Sequence, residues 1–398
     1  VPMRIAIVGG GIVGIAIGLA ALQRGFSDVT IFDKESKAGV HASSRNSGVI
    51  HSGIYYDSDS LKARFSIEGN EELRKLCHED GIPIIDSGKL ILSRDNKSEA
   101  LLTQLMNRAE ANGVAATRYS CEELKNFEKR AKTFESFIHV HRTAVSSPEG
   151  VVNALRSRFD NLGGQWQLNT KIEDTEALKS AKESRYGGYD LVINASGAES
   201  LRLAKKVGLG SDLLTIPFLG LYWSVSSETV PLSIPLYPTP HPINPFLGVH
   251  LTPTVLGNTK IGPTAIPVLG REQYSLLKGV RLDESVEALA ALARIGFGKR
   301  HSLTALISSE LPKFARSFMI QEAADLFQGL DTIKGWRAHP GGIRAQLVNK
   351  EGHLMQDFIV EKQDRTIHVL NAVSPGWTSA LPFGRWILDN YVLGEKAE

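Results

Sequence analysis

Residues 4–33 read RIAIVGGGIVGIAIGLAALQRGFSDVTIFD, and this stretch settles the fold class. An apolar run, Arg4–Val8, leads into Gly9, Gly11 and Gly14 at GxGxxG spacing. A helix of small apolar residues follows, then a second apolar run, Val29–Phe32, that ends at Asp33. Strand, glycine turn, helix, strand and acid form the opening of a dinucleotide-binding unit. The first glycine permits the tight bend, the second lets backbone approach a pyrophosphate, and the third lets helix lie close on strand. The helix N-terminus, at Ile12 and Val13, offers N–H groups and partial positive charge to the phosphates. Asp33 lies 19 residues beyond Gly14, where an acid meets a ribose hydroxyl, and Lys34 follows it. The spacing alone does not separate NAD from FAD.

The chain has 398 residues, enough for two domains or one with a large insertion. Its 42% apolar and 22% charged residues are ordinary for a globular enzyme, and a net charge of +2 gives no reason to expect nucleic acid. Cys77 and Cys121 form neither a disulfide framework nor a zinc spacing, so no metal is expected and each reads as a small hydrophobe. Ile5–Leu22 is an 18-residue run without charge, close to a membrane span in length. Gly9, Gly10, Gly11 and Gly14 interrupt it, and no basic segment precedes it, so it is neither span nor signal peptide. Val1-Pro2 reads as a remnant of expression or processing. The expected location is cytoplasmic.

Helical periodicity marks Leu61–Asp80, Glu99–Asn112, Cys121–Lys132 and Pro148–Leu162, the last opened by Ser147-Pro148 and closed by Gly163-Gly164. Short strands are expected at Lys89–Ser93, Phe137–Val140, Gln165–Leu168 and Asp190–Ile193. Beyond Pro217 the chain turns rich in Pro, Thr and aromatics, with β-type runs at Gly220–Val225, Leu232–Tyr237, Phe246–Leu251 and Lys260–Pro263. Helices at 283–296, 302–310 and 312–328 follow, then strands at Gly335–Val348, Met355–Glu361 and Ile367–Leu370, and a last helix opened by Pro375-Gly376-Trp377-Thr378 and running through Leu393. Strand–glycine–helix units recur near 190–198 and 370–380. The expected architecture is α/β: a discontinuous Rossmann-like nucleotide domain of residues 1–86, 148–216 and 330–398. An α+β substrate domain with an antiparallel sheet, residues 87–147 and 217–329, is inserted in it.

Longer segments carry a resemblance. Asn46–Tyr56 (NSGVIHSGIYY), Phe246–Pro253 (FLGVHLTP), Gly262-Pro263, Gly342–Gln346 (GIRAQ) with Asp357-Phe358, and Asn371–Ser379 (NAVSPGWTS) resemble the L-2-hydroxyglutarate dehydrogenase/oxidase family. That family lies within the D-amino-acid-oxidase, glycine-oxidase-like superfamily. The resemblance implies FAD as cofactor and oxidation of an L-2-hydroxy acid to the 2-oxo acid, with electrons passing to a quinone or to oxygen. A quinone acceptor is compatible with peripheral membrane contact, although no amphipathic helix with a basic face stands out. Two departures bear on the substrate's tail. The family has Arg-Gly-Asp-Tyr where Leu219-Gly220-Leu221-Tyr222 stands, and usually His where Arg45 stands. An amine or amino-acid oxidase of the same superfamily, or a non-catalytic FAD-binding scaffold, are the competing readings.

The alcohol proton needs a base, ordinarily histidine. His51 and His250 stand in matched segments, and either can be that base, whereas His139, His141 and His301 have no such context. Arg344 suits a carboxylate, which a guanidinium grips with two parallel hydrogen bonds; the superfamily places its carboxylate-binding arginine here. Tyr55 and Tyr237 are candidate hydroxyl donors, and Arg45 and Arg271 candidate partners for a second carboxylate. For FAD the expected contacts are Gly9, Gly11 and Gly14 at the pyrophosphate and Asp33 at the ribose. Ser44, Arg45, Asn46, Ser47, Gly48 and Val49 should follow the diphosphate and ring. Ile172 should reach the adenine through its backbone, from the strand after Gly164. Ala195, Ser196 and Gly197 should touch the cofactor. Gly376, Trp377, Thr378 and Ser379 suit the flavin N1/O2 edge, where reduction builds negative charge. No cysteine lies beyond Cys121, and Arg45 replaces a histidine, so the FAD is expected to be non-covalent.

Overall fold

The computed structural model describes residues 3–180, 186–240, 246–275, 278–298 and 303–394. Val1-Pro2 and His301 lie outside the described residues. Arg4–Val8 is a central strand because both of its faces are apolar, and Ile5, Ala6 and Ile7 are fully buried. It sits within a six-stranded sheet in the order Ile359–Gln363, Thr366–Asn371, Leu191–Asn194, Arg4–Val8, Asp28–Phe32, Gln165–Gln167. Neighbours run parallel except at the first pair, an antiparallel hairpin. The helix Ile12–Gln23 packs between this sheet and the helices Ala380–Leu388 and Pro148–Asn161. Three widely separated pieces of chain therefore build one nucleotide-binding layer.

The second sheet has nine strands. Its path runs Ile266–Pro267, Leu214–Ser226, Asn258–Gly262, His250–Pro253, Leu236–Pro238, Lys89–Leu92, Ser136–Val140, Ala116–Ser120, and Arg337–Val348 pairs with Leu214–Ser226 off this path. The pairs are antiparallel except Leu236–Pro238 with Lys89–Leu92. A boundary at 330 assigns Arg337–Val348 to the nucleotide-binding pieces, but its ladder with Leu214–Ser226 puts it in the antiparallel sheet. Pro217 reads as a break in the sequence, yet the strand continues through it, with Pro217 opposite Ala345. A small third sheet joins Val49–Ile50, Ala144–Ser146 and Ile84–Ile85.

Other boundaries shift for local reasons. The helix expected over Cys121–Lys132 is a 3-10 segment, Cys121–Asn126, opened by a Ser120–Glu123 capping box. Beyond it, Ala131 bridges to Phe327 and the Lys132 N–H bonds to the Leu326 carbonyl at 2.8 Å, which draws the chain into a cross-chain contact. The helix expected over 312–328 divides into Leu311–Phe314 and Arg316–Ala324, because Pro312 starts a tight turn and Ala315 is extended. Helix Asn96–Ala111 begins earlier than its periodicity suggests, capped by Asp95 and Ser98. The runs at 232–237 and 246–251 shorten to Leu236–Pro238 and His250–Pro253. Met355–Glu361 shifts to Ile359–Gln363, and the last helix starts at Ala380, leaving Gly376–Thr378 in the turn before it.

The helix Leu61–Glu79 fixes the joint between the layers. Ser60 caps it through the Ala63 N–H, and the Asp357 carboxylate accepts from the Leu61 and Lys62 N–H groups at 2.8 and 3.0 Å. A Cβ at Gly69 would lie 2.1 Å from the Thr378 carbonyl oxygen, so glycine lets this helix press against the turn before the last helix. Among the described residues no helix is long and apolar enough to cross a membrane. The helix Leu282–Phe297 buries Ala288, Ala291 and Ile295 but turns Leu282, Val286, Leu289 and Phe297 outward, with Phe297 92% exposed.

Candidate active site

One cavity of about 380 Å³ runs from the glycine turn to the antiparallel sheet. At its nucleotide end, Gly9 has φ +111°, and a Cβ there would lie 2.4 Å from the Ala195 carbonyl oxygen. A Cβ at Gly14 would lie 1.9 Å from the Gly9 oxygen, so Gly14 sets the helix–turn contact and does not line the cavity. Gly9, Gly11, Ile12, Val13, Asp33 and Lys34 do line it. Asp33 accepts from the Gly10 N–H at 2.7 Å and the Glu35 N–H at 2.8 Å, which fixes its carboxylate at the strand end. The Ile12 N–H is taken by Ser43 Oγ at 2.9 Å. Ser43 also lines the cavity where Ser44 was expected, a one-residue offset in a loop whose register no periodicity sets.

Arg45, Asn46, Ser47 and Val49 line the same groove, whereas Gly48 does not. Gly48 instead lies against the Ser146 carbonyl, 2.3 Å from its hypothetical Cβ. Asn46 staples the loop, donating to the Ala42 and Ser43 carbonyls and accepting from the Gly48 N–H. Arg45 is engaged with the Val40 carbonyl at 3.0 Å, and its guanidinium lies 4.2 Å from the Tyr274 ring centre. Arg271 is paired with Glu199, Glu284 and Glu287, so it is not free for a second carboxylate. Ile172 lines the cavity but lies past the strand Gln165–Gln167, not within it. Ala195, Ser196 and Gly197 line it too, and Ser196 Oγ bonds Asn194 Oδ1 at 2.6 Å.

At the far end Gly376, Trp377 and Thr378 close the groove, and Ser379 is buried behind them. Trp377 Nε1 is buried without a partner. Thr378 Oγ1 accepts the His51 backbone N–H at 3.1 Å, which joins this turn to the segment bearing His51. His51, Tyr237, His250 and Arg344 all face the cavity here, while Tyr55 stands behind its wall. Tyr237 and His250 stack with ring centres 3.9 Å apart. His51 Nδ1, His250 Nε2 and the Tyr55 and Tyr237 hydroxyls are all buried without hydrogen-bond partners. Such atoms are costly unless a ligand or water satisfies them.

The electrostatics are one-sided. Burial, then the neighbouring Lys89, His250 and Arg344 charges, hold His51 well below its ordinary range. Burial pushes His250 down to about 3, against a small opposing effect of the Gly248 carbonyl, with Lys89, Lys260 and Arg344 adding to the fall. Both imidazoles are therefore neutral, the form that accepts a proton. Arg344 is raised into the cavity by the strand Arg337–Val348, opposite Phe218, and its guanidinium lies 5.0 Å from the Phe246 ring centre. The groups bearing on its charge are Tyr56 and Tyr222, with no carboxylate among them. Leu219 and Leu221 do not line the cavity; Phe218, Gly220 and Tyr222 do, as strand alternation requires. The departure from the Arg-Gly-Asp-Tyr pattern thus falls on the far face of the strand.

Several cavity neighbours are not among the candidate site residues that the sequence singles out. Tyr222 forms part of the wall, and Lys62, Lys89 and Lys260 lie buried around it. Lysine in the first turn of a helix, as Lys62, or on a short strand, as Lys89 and Lys260, reads as a solvent-facing residue, and only tertiary packing turns these inward.

Fold and cavity together define a dinucleotide-binding protein whose cofactor groove opens into a buried cationic chamber with proton acceptors. The chain belongs to the FAD dependent oxidoreductase (DAO) family, whose profile matches residues 4–390. It is 34% identical over 402 residues to an L-2-hydroxyglutarate dehydrogenase of Indibacter alkaliphilus, covering 98% of this chain and 99% of the relative. It is 31% identical to the L-2-hydroxyglutarate dehydrogenase of Escherichia coli K12, covering 96% and 91%. Its fold matches an FAD-bound L-α-glycerophosphate oxidase of Mycoplasma pneumoniae with a TM-score of 0.71, at 20% identity and 98% and 95% coverage. The protein is an FAD-dependent oxidoreductase. The close approach at Gly9 and the unpartnered Trp377 Nε1 fit an extended dinucleotide with a flat ring at that end.

Proposed function

We propose that the protein oxidises the C2 alcohol of an L-2-hydroxy acid, L-2-hydroxyglutarate or a closely related acid, to the 2-oxo acid. The observation that carries this reading is Arg344: a guanidinium facing the cavity, beside two neutral imidazoles, with no carboxylate of the described residues bearing on it. The names of the relatives support the choice of acid. Bound FAD supplies hydride acceptance at its N5. Arg344 orients the C1 carboxylate with two hydrogen bonds, which fixes which face of C2 is presented. His51 takes the hydroxyl proton. It is tied through its backbone to Thr378, and its ring is open to the cavity, whereas His250 is 5% exposed and stacked on Tyr237. His250 braces Tyr237 in this scheme, and Tyr55 stands behind the wall.

Gly9, Gly11, Asp33, Ser43, Asn46, Ser47, Ala195, Ser196 and the turn Gly376–Thr378 would hold the FAD without a covalent bond. Electrons would then pass to a quinone or to oxygen. The outward row Leu282, Val286, Leu289 and Phe297 supports a peripheral contact with a membrane surface. The test of the reaction is anaerobic reduction of the FAD-loaded protein by L-2-hydroxy acids set against amino acids. Reduction by amino acids alone would replace this reading with an amino-acid oxidase.

A further inference from the structure

Around the cavity the chain buries more positive charge than the reaction above uses. Lys89, Lys260 and Lys62 are 0%, 4% and 6% exposed. Lys62 has the Asp357 carboxylate nearby, and Lys260 donates to the Asn46 carbonyl at 3.2 Å. Lys89 has neither: its Nζ is fully enclosed with no hydrogen-bond partner. It lies 4.0 Å from the Tyr55 ring centre and 4.8 Å from that of Tyr237. Tyr237 in turn faces the cavity with an unpartnered hydroxyl and stacks on His250. A buried lysine without a counter-ion costs stability and depresses its own proton affinity, and burial holds Lys89 down at about 7. That cost is difficult to explain by packing, since methionine would fill the same volume.

We propose that Lys89 is a positioning residue that tunes the chamber for a substrate bearing a second carboxylate, acting through Tyr237. This rests on the 2-hydroxy-acid reading and adds to it. Arg344 answers the C1 carboxylate. The Tyr237 hydroxyl, which has no partner among the described residues, donates to the second. An ammonium over the face of the phenol ring polarises the O–H and strengthens it as a donor, and its charge attracts the carboxylate directly. Because Lys89 stands behind the ring, it contributes charge without contacting the substrate. The binding of a dianion gives this buried ammonium the counter-charge that the protein withholds.

The test compares two acids of equal chain length, L-2-hydroxyglutarate with two carboxylates and L-2-hydroxyvalerate with one, on the FAD-loaded full chain. The readout is the ratio of their kcat/KM values. Lys89→Met should lower the ratio by about 10-fold or more, as expected for losing a unit charge several Å from a carboxylate at an effective dielectric near 20. The loss should fall mainly in KM, and Lys89→Arg should recover part of it. A purely structural lysine would lower both acids together and leave the ratio in place, which overturns the proposal. Tyr237→Phe provides a second arm should Lys89→Met not retain FAD. It removes only an unpartnered hydroxyl and should lower the same ratio; an unchanged ratio there overturns the route through Tyr237. If wild-type protein is reduced by neither acid, the 2-hydroxy-acid reading fails first and this proposal with it.

Discussion

Replacing Arg344 by alanine separates what its guanidinium does for substrate from what it does for the fold. In the free protein Arg344 lies over the Phe246 ring and near the Tyr56 and Tyr222 phenols, with no anion among the described residues to hold it. Its removal therefore forfeits a cation–π contact of about 0.5–2 kcal/mol and relieves the desolvation of a buried charge. These effects oppose one another, so Tm should move little. With substrate bound, the same change removes a charge-assisted contact worth about 1.5–3 kcal/mol, which is about 10- to 150-fold in affinity. The assay is anaerobic stopped-flow reduction of bound FAD against L-2-hydroxyglutarate concentration, with a thermal melt in parallel. KM should rise by at least about 10-fold while the protein keeps its FAD. Arg344→Lys should fall between, since an ammonium keeps the charge but not the fork. An unchanged KM would place the carboxylate elsewhere and remove Arg344 from the pocket.

Other outcomes follow from the same geometry. His51→Ala should retain FAD and slow its reduction by about 10²-fold or more, whereas His250→Ala should cost less; equal turnover in both variants would put the base elsewhere. Because both imidazoles are held below the ordinary value of 6.5, they stay neutral as pH falls through that value. The acid limb of kcat/KM should accordingly lie below pH 6.5, and a midpoint at or above it would contradict the assignment. The unfolded chain binds those protons first, so these histidines also make stability fall as pH drops below 6.5. Lys89 and Lys62 act at the other end. Their folded values, about 7, lie below the ordinary 10.5, so stability rises with pH between about 7 and 10.5. Lys89→Met should therefore raise Tm most at and below about pH 7, with the gap closing toward pH 10; a fall in Tm at pH 7 would show that the amine has a partner. Gly14→Ala should lose FAD and unfold early, because its Cβ would lie 1.9 Å from the Gly9 oxygen; a variant that binds FAD normally would refute the close packing. Leu219→Ala should cost about 2–5 kcal/mol of stability as a core truncation yet leave KM for the acid in place, since Leu219 does not line the cavity.

The parts of the site that the sequence discloses are those written in local spacing. Gly9, Gly11 and Asp33 fall where the strand–turn–helix register puts them, and the glycine-dotted segments around His51 and Trp377 come to one groove. His250 and Arg344 could be named because they stand inside long matched segments. What stayed hidden depends on chain that is remote in sequence. Lys89 sits on a four-residue strand, and nothing near it shows that Tyr55 and Tyr237 will enclose it. Arg271 looks like a free cation until Glu199, Glu284 and Glu287 arrive from two other segments. Ser43 rather than Ser44 meets the helix N-terminus, since an irregular loop has no period to count. Proline misled in both directions: Pro217 lies within a long strand, while Pro312 divides what reads as one helix.

The most direct measurement is a titration of the FAD-loaded protein, free of oxygen, with the two enantiomers of 2-hydroxyglutarate, followed by the flavin's visible absorbance. Loss of that absorbance with the L form alone, with 2-oxoglutarate formed in equal amount, is the predicted result. A flavin that stays oxidised with both enantiomers, or a protein that does not take up FAD, would contradict the assignment of this cavity.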